Sequence, residues 1–167
     1  MSEDMTARLG LPLLHAGQAQ KEIDHNEALA LLDLAVQPTV AAIGIDVPPA
    51  DPAEGTCWII GSSPVGAWSG KAHALAGWTT AGWRFVTPLD GMTVARAGDG
   101  VTARYTVSGW VIGELHATAV FVAGERVLAA RQPAIADPTG GSVVDLEVRS
   151  AVAAMLATLR AHGLIAP

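Results

Sequence analysis

The longest helical pattern in the chain lies near its N-terminus. From Gly17-Gln18-Ala19-Gln20-Lys21-Glu22 onward, a Leu- and Ala-rich run continues without Gly or Pro as far as Pro38, and it predicts a helix over 18–37. Within it His25, Leu29, Leu32 and Val36 recur at spacings of four, three and four, while Glu22, Asn26, Asp33 and Gln37 gather on another side. Ala28, Leu31 and Ala35 widen the apolar surface. A helix apolar over so much of its circumference belongs in a core or at a subunit interface. A second seam of the same spacing, Val148, Val152, Met155 and Leu159, lies near the other end. Ser142-Val143-Val144-Asp145 has the form of a capping box, and Gly163 suits the left-handed position that ends a helix, so a helix is predicted over 143–162.

Between these segments the period changes. Asp46-Val47-Pro48-Pro49-Ala50-Asp51-Pro52-Ala53-Glu54-Gly55 holds three prolines in ten residues, which fix φ and withhold N–H donors from any ladder. From 56 to about 130, short runs rich in Val, Ile, Thr and Trp alternate with Gly-bearing turns, the pattern of a compact antiparallel β module. Trp78-Thr79-Thr80-Ala81-Gly82-Trp83 and Tyr105-Thr106-Val107-Ser108-Gly109-Trp110 each set an aromatic, a four-residue stretch ending in Gly, and then Trp. That arrangement suits a hairpin in which Gly supplies positive φ and the aromatics pair across strands. Ala97-Gly98-Asp99-Gly100 and Ala123-Gly124-Glu125-Arg126 are further turns, the second joining 118–122 to 126–130. The fold class read from the chain is α+β, in three segments. An N-terminal helical segment (1–45) serves oligomerisation or attachment, a Trp-rich antiparallel module covers 46–131, and a C-terminal helix occupies 132–167.

Composition adds a reason to look for partners. Hydrophobic residues make up 50% of the chain and charged ones 16%, against roughly 25% charged in ordinary soluble domains. Something apolar is expected to be buried against other subunits, and the two seams place that interface at His25, Leu29, Leu32 and Val36 and at Val148, Val152, Met155 and Leu159. No run of about 18 apolar residues escapes interruption, so no membrane span is expected. The acidic opening Met1-Ser2-Glu3-Asp4, with no apolar stretch behind it, is unlike a secretory signal, and the protein is expected to be made and assembled in the cytoplasm. A net charge of −6 with ten Lys and Arg spread thinly gives no electrostatic footprint for nucleic acid.

A search for chemistry finds little. His15, His25, His73, His116 and His162 show no spacing that sets two ligands on one face, so no metal site is expected. Cys57, the single cysteine, lies in the strand-like run Thr56-Cys57-Trp58-Ile59-Ile60 and reads as a buried thiol. Gly61-Ser62-Ser63-Pro64 is a turn rather than a nucleophile elbow. Asp90, Asp99 and Glu114 are the carboxylates open to a glycosidase pair, yet Asp90-Gly91 and Asp99-Gly100 read as turn dipeptides. No phosphate loop or dinucleotide fingerprint is present, and neither catalysis nor a cofactor is expected. Five of the eight aromatic residues are Trp. Exposed indoles stack on sugar rings, and buried ones fill a small core with 150–250 Å² apiece. Trp58 reads as core, whereas Trp78, Trp83 and Trp110 stand at glycine turns and are open to either reading, glycan contact or packing.

Leu9-Gly10-Leu11-Pro12-Leu13-Leu14, then Gly17-Gln18-Ala19-Gln20-Lys21-Glu22 and His25-Asn26-Glu27-Ala28-Leu29, resemble the opening signature of an uncharacterised-domain family found in bacterial prophages and gene transfer agents. The likeness continues through Gly55-Thr56-Cys57-Trp58-Ile59, Gly66-Ala67-Trp68, Gly82-Trp83-Arg84-Phe85 and Pro88-Leu89-Asp90-Gly91-Met92 to Arg131-Gln132-Pro133-Ala134-Ile135 and the tail Leu159-Arg160-Ala161-His162-Gly163-Leu164-Ile165. The resemblance implies a place rather than a reaction: the surface of a phage-like particle, in the base of a head spike or part of a tail fibre that supports adsorption to a recipient cell. Partners would be copies of the chain, as trimer or pentamer, capsid or tail proteins, a distal spike or fibre protein, and cell-surface polysaccharide. Longer, fibre-like members run on into receptor-binding sequence, so the stop at Pro167 reads as that of a separate base or adaptor. No catalytic residue is carried over.

Overall fold

In the computed structural model the described residues are 5–14, 17, 21–142 and 145–167. The chain is α+β: an N-terminal helix, a sheet-rich middle with Trp-bearing strands, and a C-terminal helix. It forms two compact units, Met1–Glu114 and Leu115–Pro167. None of the described helices is long and apolar enough to cross a membrane.

In the N-terminal unit, α1 (Lys21–Ala35) occupies the body of the helix predicted over 18–37, with 18–20 outside the described residues. The chain then extends as β1 (Thr39–Val40) and β2 (Ala42–Ile45), neighbours in sequence that serve different sheets. β2 runs parallel to β3 (Cys57–Ile60), which continues antiparallel into β4 (Leu75–Thr79) and β5 (Gly82–Val86). β1 runs parallel to β6 (Thr93–Arg96), followed antiparallel by β7 (Thr102–Thr106) and β8 (Gly109–Ile112). The sheet orders are therefore β2-β3-β4-β5 and β1-β6-β7-β8, the same plan twice.

Each sheet ends in one of the two look-alike hairpins. Trp78 pairs with Trp83 and Tyr105 with Trp110, with the ring centroids 5.0 and 5.3 Å apart. Gly82 and Gly109 take the positive φ that the turns require, at 96° and 115°. The threonine after the first aromatic also acts alike in both: the Thr79 and Thr106 hydroxyls donate to the carbonyls of Gly82 and Gly109, at 2.8 and 2.9 Å.

Side-chain alternation on the first sheet creates two cores. One face turns Cys57, Ile59 and Leu75 towards Val40, Val94 and Ala103 of the second sheet, with Leu34 of α1 completing an aliphatic cluster. The helix approaches closely because residue 77 is glycine: a β-carbon there would collide with the Leu34 methyls. On the opposite face, Trp58, Ile60 and Ala76 pack with Trp68, which a 3-10 turn at Gly66–Trp68 folds inward until it is fully buried.

The C-terminal unit holds the hairpin β9 (Val120–Val122) and β10 (Glu125–Leu128) and the helix α2 (Leu146–Ala161). The expected turn is present, with Ala123 and Gly124 both at positive φ. α2 starts at Leu146 rather than 143. Asp145, not Ser142, is the cap: its carboxylate accepts from the Val148 N–H at 2.9 Å, satisfying one orphan donor directly. Val143 and Val144 lie outside the described residues. Gly163, at φ +69°, follows the helix as expected. Past it, Ile165 bridges to Gln132, and the Arg131 Nε donates to the Ile165 carbonyl at 3.1 Å.

Candidate functional site

The densest polar network of the N-terminal unit surrounds Asp33, a carboxylate 3% exposed near the end of α1. It accepts from the Thr6 hydroxyl at 2.8 Å and from the backbone N–H groups of Arg8 and Leu9 at 3.1 and 2.6 Å. These donors belong to a tight loop, closed by Thr6 N–H to the Leu11 carbonyl at 2.9 Å, with Gly10 at positive φ. Arg8 reaches on to the last turn of α1, donating to the carbonyls of Asp33, Val36 and Gln37. α1 has no basic residue in its own last turn, so Arg8 caps its negative end. Asn26, one side of the same helix nearer its start, binds both the N–H and the carbonyl of Leu14, at 2.9 and 3.0 Å. The opening signature therefore ties an N-terminal arm to α1. The polar stripe of the predicted helix was legible in the sequence; that two of its members bind the arm was not, because arm and stripe are 24 to 27 residues apart at Asp33.

A cleft of about 280 Å³ opens between this arm, α1 and the β4–β5 turn. Its walls include Ile23, Glu27, Glu54, Trp78, Thr80 and Arg84. Glu27 and the Arg84 Nε meet at 2.7 Å across it. Beside it Cys57 is fully buried, and loss of hydration lifts its thiol from the ordinary value near 9 to about 11, with Asp33 adding to the rise and Arg8 opposing it. A thiol so placed is inert, as its strand-like setting led us to expect.

The three candidate tryptophans do not share a face. Trp83 stands edge-on to Trp58, Trp68 and Trp78, with centroids at 5.5, 5.1 and 5.0 Å, in the middle of an aromatic cluster. Trp110 belongs to the other sheet, packs against the aliphatic core and donates its indole N–H to the His73 carbonyl at 2.8 Å. Trp78 alone of the three lines the cleft. Among the described residues no group of three or more His, Cys, Asp or Glu is arranged to hold a metal ion.

The two helical seams stand largely open. On α1, His25, Leu32 and Val36 are exposed and Leu29 is half-buried; on α2, Val148 and Met155 are exposed, with Val152 and Leu159 half-buried. Of the α1 seam, Leu32 borders a shallow apolar groove that Leu31, Ala35 and, from β5, Phe85 and Val86 also line.

A family model matches residues 25–111, more than half of the 167-residue chain. The chain belongs to the DUF2793 family. That family is described as one of proteins of unknown function. The DUF2793 match runs from α1 through both sheets to β8, and it leaves out the N-terminal arm and the C-terminal unit. No curated protein matches the chain.

Proposed function

We propose that this protein is a non-enzymatic structural component of a phage-like particle, of the prophage or gene transfer agent kind. In this reading it is an oligomeric base or adaptor, a trimer or pentamer, beneath a head spike or tail fibre that supports adsorption. The observation that carries the reading is the apolar surface left open towards the C-terminus, on α2 above all at Val148 and Met155, which water solvates poorly and further subunits would cover. The likeness of the opening signature to particle surface proteins supports the location. The Asp33 network supports a structural role for this end of α1, because its carboxylate accepts three hydrogen bonds that hold the arm. The test is genetic: particles from a strain lacking the gene should assemble without the projection and adsorb poorly to recipients. Particles of unchanged composition and adsorption would contradict it.

A second reading, direct contact with capsular polysaccharide, is favoured by one observation: the Trp78 indole lines a cleft that also holds Glu27, Glu54 and Arg84. Trp83 and Trp110, the other two candidates, have packing roles that explain them. Retention of the protein on immobilised capsule, lost in Trp78→Ala with the fold intact, is the expected result; no retention of the parent protein would dismiss this reading.

A further inference from the structure

Resting on the oligomer proposed above, we infer that the chain self-associates through its C-terminal unit, hairpin β9–β10 and helix α2 together, and that the docking partner of this surface is a second copy of the same unit. α1 is not the assembly seam.

The first ground is the core. Among the described residues, twelve of the buried apolar side chains belong to Met1–Glu114, and two, Leu156 and Ile165, to Leu115–Pro167. A unit this small rarely stands on a full core of its own, and one with two buried side chains needs apolar surface from outside. The hairpin makes the same demand. Phe121, Val122, Val127 and Leu128 are 62, 58, 54 and 47% exposed, and a two-stranded hairpin uncovered on both faces is marginal in water. Along α2, Val148 and Met155 are 56 and 61% exposed.

The second ground is area. The chain exposes 11054 Å², whereas two separate compact bodies sharing its mass in proportion to their lengths would together expose about 9,200 Å². The excess, about 1,800 Å², exceeds the roughly 800 Å² that one partner contributes to a standard interface.

Charge selects the partner. Of 16 acidic and 10 basic residues, twelve and six fall within 1–114, and four and four within 115–167. The first part therefore carries the whole charge of −6, and the second is neutral. Copies meeting through the N-terminal part would each bring that net negative charge to the contact. Copies of the C-terminal unit meet without that repulsion. Much of its positive charge is already engaged within the unit: Arg160 pairs with Asp137 at 3.1 Å, and Arg149 donates to the Pro138 carbonyl at 3.2 Å.

The test compares full-length variants by light scattering. Val127→Asp and Met155→Asp are each expected to bring the mass down to the 17.1 kDa of one chain, and Leu32→Asp with Val36→Asp to leave the assembly intact. All five tryptophans lie between 58 and 110, so an unchanged indole emission shows that the N-terminal unit stays folded even where the C-terminal unit loosens. Dissociation by the α1 variant, or an intact assembly in both C-terminal variants, would overturn the inference while leaving the oligomer standing. A parent chain at 17.1 kDa at every concentration would remove the oligomer itself, and mass gained only on adding a different protein would assign the surface to that protein.

Discussion

At the scale of single residues, the positions of greatest consequence are those whose role depends on something distant in sequence. Cys57 was legible, since a lone cysteine between Thr56 and Trp58-Ile59-Ile60 reads as a strand interior. Its buried thiol gives a pH signature. Below about pH 9 the thiol is protonated in folded and unfolded chains alike, and it adds no slope to stability. Between 9 and 11 the unfolded chain ionises first, so stability should fall by up to about 1.4 kcal/mol per pH unit, roughly 2–3 kcal/mol in all. Urea denaturation across that range should show this component in the parent protein and lose it in Cys57→Ala; parallel curves would contradict the burial. Asp33 and Arg8 were not legible in these roles. A helix position reads as polar whether it faces water or binds an arm, and only the folded chain brings residues 6–9 to it. Asp33→Ala leaves the Thr6 hydroxyl and two backbone N–H groups without their charged acceptor, and should cost roughly 2–4 kcal/mol. Limited proteolysis should then cut the arm first; resistance equal to that of the parent would argue against its being tied down there.

Among the elements, the two hairpins show what periodicity conveys. An aromatic, a Thr, a glycine at positive φ and a Trp set strand register locally, because pairing across a tight turn needs no information from elsewhere in the chain. What that local pattern leaves open is which layer the aromatics face. Trp83 turns into an aromatic cluster and Trp110 towards the aliphatic core, although their surroundings in sequence are alike. The division of 39–45 between two sheets was equally hidden, since β1 and β2 each find a parallel partner far along the chain. So was the fit of α1 to the sheet, which turns on Leu34 over Gly77. Gly77→Ala should cost about 1–3 kcal/mol by overpacking, and Leu34→Ala about 2–5 kcal/mol through the cavity it leaves. Because the added methyl occupies part of that cavity, the double variant should be more stable than the sum of the two losses implies. Thermal melts giving strict additivity would mean that the two residues do not share the space.

For the whole molecule, composition gave notice that apolar surface had to go somewhere, and the fold shows where it remains. The N-terminal unit encloses its own two cores, one on each face of the first sheet, and carries the whole net charge of −6. The C-terminal unit is neutral and has little interior. Both helices read as seams in sequence because heptad spacing does not say what covers an apolar stripe. The family match covers the enclosed part and stops before the open one. The central claim, that this chain works as a closed oligomer, is tested most directly by the mass of the purified full-length protein in solution, measured by light scattering over a wide concentration range. A single species at three or five times 17.1 kDa is the expected result, and a species of 17.1 kDa throughout would contradict it.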